Sequence, residues 1–239
     1  LGYEVGELGL GVDEAEALRL YRAAAEQGQA DAQFNLALCY EDGTLGLAVD
    51  EAEALRLYKA AAEQGQASAQ FNLALCYEDG TLGLGVDEAE ALRLYRAAAE
   101  HGHARAQYSL ACCYKYGKLG LGVDEAEALR LYRAAAGQGH AVAQLNLAQA
   151  HQHGELGLGV DEAEALRLYC AAAEQGQASA QFNLADAHHY GDLGLGVDEA
   201  EALRLYRAAA EQGHTAACLA LAQAHHYGGL GLGVTRRRR

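Results

Sequence analysis

Apolar residues recur along this chain at helical intervals. In the segment 13–26 they stand at Ala17, Leu18, Leu20, Tyr21, Ala24 and Ala25, while Glu14, Arg19, Arg22 and Glu26 occupy the other side. This stripe predicts a helix. Asp13 is placed to accept from the free N–H groups of its first turn, Glu16 completes a capping-box pattern, and Val12 with Ala17 forms a hydrophobic staple. Gly28 closes the segment in the left-handed position that glycine fills at little steric cost. A second helix is predicted over 30–42, with Gln33, Leu36, Ala37 and Tyr40 on one face and Gly43 as terminator. So few residues separate the two that they fold back as an antiparallel hairpin. In the return segment, Leu45 and Leu47 flank Gly46 and are expected to fill the gap between layers.

The whole unit is repeated. Val-Asp-Glu-Ala-Glu-Ala-Leu-Arg-Leu-Tyr begins at Val12 and returns at Val49, Val86, Val123, Val160 and Val197, always 37 residues on. A fixed period of this size is the mark of a solenoid, in which each supersecondary unit buries its apolar face on its neighbours. Alanine, leucine, glutamate and arginine dominate and proline is absent, so the fold class is all-α: stacked helical hairpins in one array over 1–234. Residues 235–239 form an Arg-rich tail, read as disordered or cut. Both ends are expected to be cut from a longer array, because residues 1–6 align with the end of a helix and Val234-Thr235 stop where the next should begin.

Charge and cysteine usage narrow the function classes. The formal net charge is -15, and without the four terminal arginines the body carries 14 Lys+Arg against 33 Asp+Glu. Such a surface repels phosphate backbones, which excludes nucleic acid as a partner of the repeat body. The longest uncharged stretch, 134–154, is interrupted by Gln138, His140, Gln144, Asn146 and Gln149, so no membrane span is expected. Cys39, Cys76 and Cys113 hold equivalent places in successive units, about 10 Å apart on stacked helices and beyond disulfide reach. They read as buried thiols of a reducing compartment. The serines lack a repeat-consistent histidine and carboxylate, and neighbouring histidines such as His188 and His189 point about 100° apart, so no catalytic residue, metal or cofactor is assigned.

The run Ala30-x-Ala32-Gln33-x-x-Leu36-Ala37-x-x-Tyr40-x-x-Gly43, then Gly46, Val49 and Asp50, then Ala54-x-x-Leu57-Tyr58-x-x-Ala61-Ala62-Glu63-Gln64-Gly65, resembles the Sel1-like repeat family over nearly the whole chain. It departs from the family pattern at Ala37, Ala74 and Ala111, where glycine is usual, and at Leu57, where tryptophan is frequent. The resemblance implies a right-handed α/α superhelical solenoid similar to tetratricopeptide arrays. In the family's phase the chain holds five full repeats plus a leading and a trailing helix. The function implied is that of a scaffold or adaptor binding a protein or extended peptide in a concave groove, not an enzyme. An architectural spacer within a larger protein is the alternative, followed by a β-lactam or cell-wall-ligand hydrolase. Uncapped ends offer a route to end-to-end self-association.

Candidate binding residues come from comparing the units with one another. The face of the second helix that carries Gln33 and Leu36 scarcely changes, whereas the opposite face changes at almost every step. Along it stand Asp31, Asn35, Leu38 and Asp42, then Asn72, Leu75 and Asp79, then Arg105, Cys112, Lys115 and Tyr116. Asn146, Gln149 and His153 follow, then Asn183, Asp186, His189 and Tyr190, and finally Gln223, His226 and Tyr227. In similar superhelical arrays this helix lines the concave side, which makes the stripe the expected partner-binding surface. Its recurring asparagines can grip a peptide backbone with one acceptor and a paired donor.

Overall fold

The computed structural model describes residues 13–231, and among them twelve α-helices and no strands. They fall into two compact units, one ending at Val123 and the next beginning at Asp124. The first holds α1 (Glu14–Glu26), α2 (Ala30–Asp42), α3 (Glu51–Glu63), α4 (Ala67–Asp79), α5 (Glu88–Glu100) and α6 (Ala104–Tyr116). The second holds α7 (Glu125–Gly137), α8 (Ala141–His153), α9 (Glu162–Glu174), α10 (Ala178–Tyr190), α11 (Glu199–Glu211) and α12 (Thr215–Tyr227). Within each unit a helix packs on the one before and the one after it, so hairpins stack. Val12 and the tail 235–239 lie outside the described residues.

Helix starts follow the predicted chemistry in half. Asp13 accepts from the Glu16 N–H at 3.0 Å, and Asp50, Asp87, Asp124, Asp161 and Asp198 cap the equivalent helices. The glutamate does not return the favour. Glu16 instead takes a two-pronged bond from Arg19 at 2.6 and 2.7 Å, and Glu53, Glu90, Glu127, Glu164 and Glu201 repeat this pairing with the arginine three residues on. A guanidinium fork outcompetes a single backbone N–H for a carboxylate, although these exposed pairs contribute only tenths of a kcal/mol. The valine of the expected staple, Val12, lies outside the described residues, and its counterpart at the next unit has a further contact. Val49 remains 60% exposed, and its Cγ2 covers Gly43, where an added Cβ would come within 3.0 Å of it.

Turns close the first helix of each hairpin with two reversed bonds, Gly28 N–H to the Ala25 carbonyl and Gln29 N–H to that of Ala24. The return segment is less ordinary. Leu45 (φ 52) and Gly46 (φ 75) are both left-handed, and the Leu47 N–H reaches back to the Thr44 carbonyl at 3.0 Å, as in a type I′ turn. Leucine in this conformation costs about 1–2 kcal/mol. Burial offsets it, since Leu82, Leu119, Leu156, Leu193 and Leu230 at the same place are all buried, which stabilises each by about 1.5–3 kcal/mol. Leu84, Leu121, Leu158 and Leu195, at the place of Leu47, are only half-buried.

Small and large residues alternate in the cores. Ala54, Leu57, Tyr58 and Ala61 are closed off in the first unit, as are Ala128, Leu131, Tyr132 and Ala135 in the second. Buried glutamines then tie one hairpin to the next. Gln33 donates to the Ala25 carbonyl at 3.3 Å and accepts from Gln64 of the following hairpin at 2.7 Å. Gln144 does the same with Ala136 and Gln175, and in one step His101 Nδ1 takes the place of the second glutamine, 3.1 Å from Gln70 Oε1. Each amide thus has both of its ends matched, which a buried polar group requires.

Candidate partner-binding surface

In the first unit the variable positions of α2, α4 and α6 stay open to solvent. Asp31, Asp42, Asp79, Arg105 and Tyr116 are exposed, and Asn35, Leu38, Asn72, Leu75, Cys112 and Lys115 are half-buried. The periodic residues on the other face of the same helices, Ala32, Gln33, Leu36 and Ala37, are buried. Arg105 is held in place: its guanidinium carbon lies 4.7 Å from the centre of the Phe71 ring, which also meets the His103 ring at 4.9 Å. Lys115 Nζ lies 5.6 Å from the centre of the Tyr116 ring.

The second unit continues the pattern with different chemistry. His153, Tyr190, Gln223, His226 and Tyr227 are exposed on α8, α10 and α12, while Asn146, Gln149, Asn183, Asp186 and His189 are half-buried. His189 and His226 meet the adjacent Tyr190 and Tyr227 rings edge-on at 4.5 and 4.4 Å. Among the described residues no three His, Cys, Asp or Glu side chains converge on a point that could hold a metal ion.

Part of the stripe serves the stack itself. The Tyr58 hydroxyl donates to Glu41 of the preceding hairpin at 2.5 Å and accepts from Asn72 of its own hairpin at 3.3 Å. Tyr95 donates to Glu78, and Tyr169 donates to Gln152 while Asn183 bonds to it. One donor of the asparagine is therefore already engaged where a free peptide clamp was expected, and its carbonyl oxygen and second N–H are what remains for a ligand. The last of these tyrosines departs from the rule. His189 occupies the place of Glu41, and Tyr206 turns to Asp186 one helical turn back. Burial pushes the hydroxyls up, Tyr169 to about 12.

This carboxylate has a measurable consequence. Burial raises the Asp186 pKa above the ordinary aspartate value, against the Tyr206 bond and the nearby His189 and His214 that pull it down, with Asp192 adding to the rise. A raised folded-state pKa means that protonation favours the fold: the benefit is complete below the unfolded value near 3.9 and is lost as pH rises through the folded one. Asp186→Asn, which keeps an acceptor for Tyr206, is therefore expected to stabilise the second unit at about pH 7 and to give no gain at about pH 4. Urea unfolding at the two pH values measures this, and an equal effect at both would contradict it.

The buried thiols of the first unit pack within the stack. Cys39, Cys76 and Cys113 are buried and free, and desolvation lifts the Cys113 thiol to about 11. That is the direction opposite to a nucleophilic thiolate.

The Sel1 repeat model matches residues 1–29, 30–66, 67–103, 104–140, 141–177, 178–214 and 215–236. The chain belongs to the Sel1 repeat family. A Sel1 repeat protein from Oxalobacter formigenes is similar at 29% identity over 94% of this chain and 89% of its own, with a TM-score of 0.84. The antigen c5321 of uropathogenic Escherichia coli, described as protective and as displaying an SLR fold, is similar at 34% identity with a TM-score of 0.76. That match takes in 98% of this chain and 49% of the antigen, so the chain spans about half of it. An immunity protein from Pseudomonas aeruginosa shares the fold at 21% identity, over 84% of this chain and 75% of its own, with a TM-score of 0.52. No curated protein matches the sequence. Sel1 repeat proteins are generally non-enzymatic scaffolds that bind other proteins. No helix among the described residues of this Sel1 chain is long and apolar enough to cross a membrane.

Proposed function

We propose that this Sel1 repeat chain gathers other proteins by holding a peptide or partner domain along the variable stripe of α2, α4, α6, α8, α10 and α12, as the concave groove of the solenoid. The observation that carries the reading is the division of labour on those helices. The recurring Ala32, Gln33, Leu36 and Ala37 are buried, and the variable stripe on the opposite face is half-buried or exposed, with Tyr116 and Tyr190 at 59% and 66% exposure. Two such groups stand at opposite ends of α6, Arg105 held over the Phe71 ring and the exposed Tyr116 ring with Lys115 at its face, and tyrosine and arginine are the kind of residue that dominates binding energy.

The test uses peptides selected from a random library on the immobilised full chain. Arg105→Glu combined with Tyr116→Ala is expected to weaken their capture by about 2 kcal/mol or more, on the order of 30-fold, with an unchanged helical circular-dichroism spectrum. Failure to select any peptide, or capture that ignores the double variant, would remove the reading.

A further inference from the structure

The second unit contains a cavity of about 240 Å³ between α8 and α10, closed at one end by the loop that follows α10. Most small-molecule sites are larger, at about 300–1,000 Å³, so this space suits one side chain and not a whole ligand. Its walls are polar. Asp186 and Asp192 bring two carboxylates, Gln149, Gln152 and Asn183 bring amides, and the exposed ring of Tyr190 stands among the lining groups. His153 is the one side chain in the lining able to carry positive charge.

We infer that this cavity takes a lysine or arginine side chain from the bound partner, a deepening that rests on the proposed role of the stripe. Three features favour a cation there. Asp186 is half-buried and accepts from the Tyr206 hydroxyl through Oδ1, so its charge is poorly solvated and retains acceptor capacity for an incoming N–H. The amide of Gln152 and that of Asn183 are turned onto Tyr169, so the amides are anchored and the carboxylates are the strongest remaining acceptors. Tyr190 is fixed edge-on against His189, which leaves a ring face for a cation. A metal ion does not fit, since no three ligating side chains converge among the described residues. The specificity belongs to this unit: where α10 carries Asp186 and Tyr190, α4 carries Leu75 and Asp79.

Capped Gly-Gly-Lys-Gly-Gly, its arginine counterpart and its norleucine counterpart are the probes, titrated into the isotope-labelled full chain and followed by the side-chain amide signals of Gln149, Gln152 and Asn183. The cationic peptides are expected to shift these signals saturably, and norleucine to bind about tenfold more weakly. Asp186→Asn should lose about tenfold in affinity for the cationic peptides while gaining stability at neutral pH, a combination that a merely structural aspartate would not produce. Equal binding of norleucine, absence of saturation, or full retention of binding in Asp186→Asn overturns the inference. Those outcomes leave intact the capture of library peptides through Arg105 and Tyr116, whose loss would instead sink the groove itself.

Discussion

Tyr95→Ala is expected to destabilise the first unit by about 3–5 kcal/mol, and Tyr95→Phe by only about 1 kcal/mol. The ring is 1% exposed, stands 5.8 Å from that of Phe71, and joins α5 to the hairpin before it. Its removal opens a cavity that two rigid hairpins cannot collapse to fill. The hydroxyl contributes less, because the Glu78 carboxylate that accepts it is only half-buried and regains water when the bond is lost. Two compact units make a single unfolding midpoint a poor measure. Native-state hydrogen exchange of α4, α5 and α6 is the suitable one, with the alanine variant losing most of their protection. Similar losses in the two variants would mean that the Tyr95–Glu78 bond, and not the packing, joins the hairpins.

The sequence made the helices legible because their signals are local. Aspartate at the start, glycine at the end and apolar steps of three and four all act within one turn or two; the odd-numbered helices begin at such an aspartate, while the even-numbered ones follow Gln29, Gln66, His103, His140, Gln177 and His214. What it did not reveal are contacts made across hairpins. Glu41, Glu78 and Gln152 each accept the hydroxyl of a tyrosine 17 positions later. That spacing was present in the sequence, but it becomes a contact only when hairpins stack. Gln33 was placed on the packed face, while its partner Gln64, 31 residues on, could not be named without that register.

Two local rules also failed for physical reasons. The capping box assumed that Glu16 had no better partner than a backbone N–H, and Arg19 offers two donors to it. The left-handed leucines contradict propensity outright, and only their burial between layers explains them. The variable stripe was legible as a difference between units. Its second duty, holding the buried tyrosines through Asn72, Asn183 and Asp186, was not.

Ala74→Leu is the second large effect expected, a loss of about 1–3 kcal/mol in the first unit. Ala74 is 0% exposed, and its equivalents Ala37, Ala111, Ala148 and Ala185 are closed to the same degree. A methyl group is the largest substituent that these hairpins admit at this place, so three further carbons force α4 away from a neighbour or into a strained rotamer. Glycine, which the family more often carries here, should be cheaper. Ala74→Gly costs about 0.5–1 kcal/mol through the freedom it adds to the unfolded helix, and leaves the approach of the helices unobstructed. The order of the two substitutions therefore separates steric limits from helix propensity, since propensity alone would rank leucine far above glycine. Urea unfolding followed by exchange protection of α3, α4 and α5 reads it out. A leucine variant as stable as the parent would mean that the hairpins have slack at this contact, and that the close packing inferred from the buried alanines does not hold the stack.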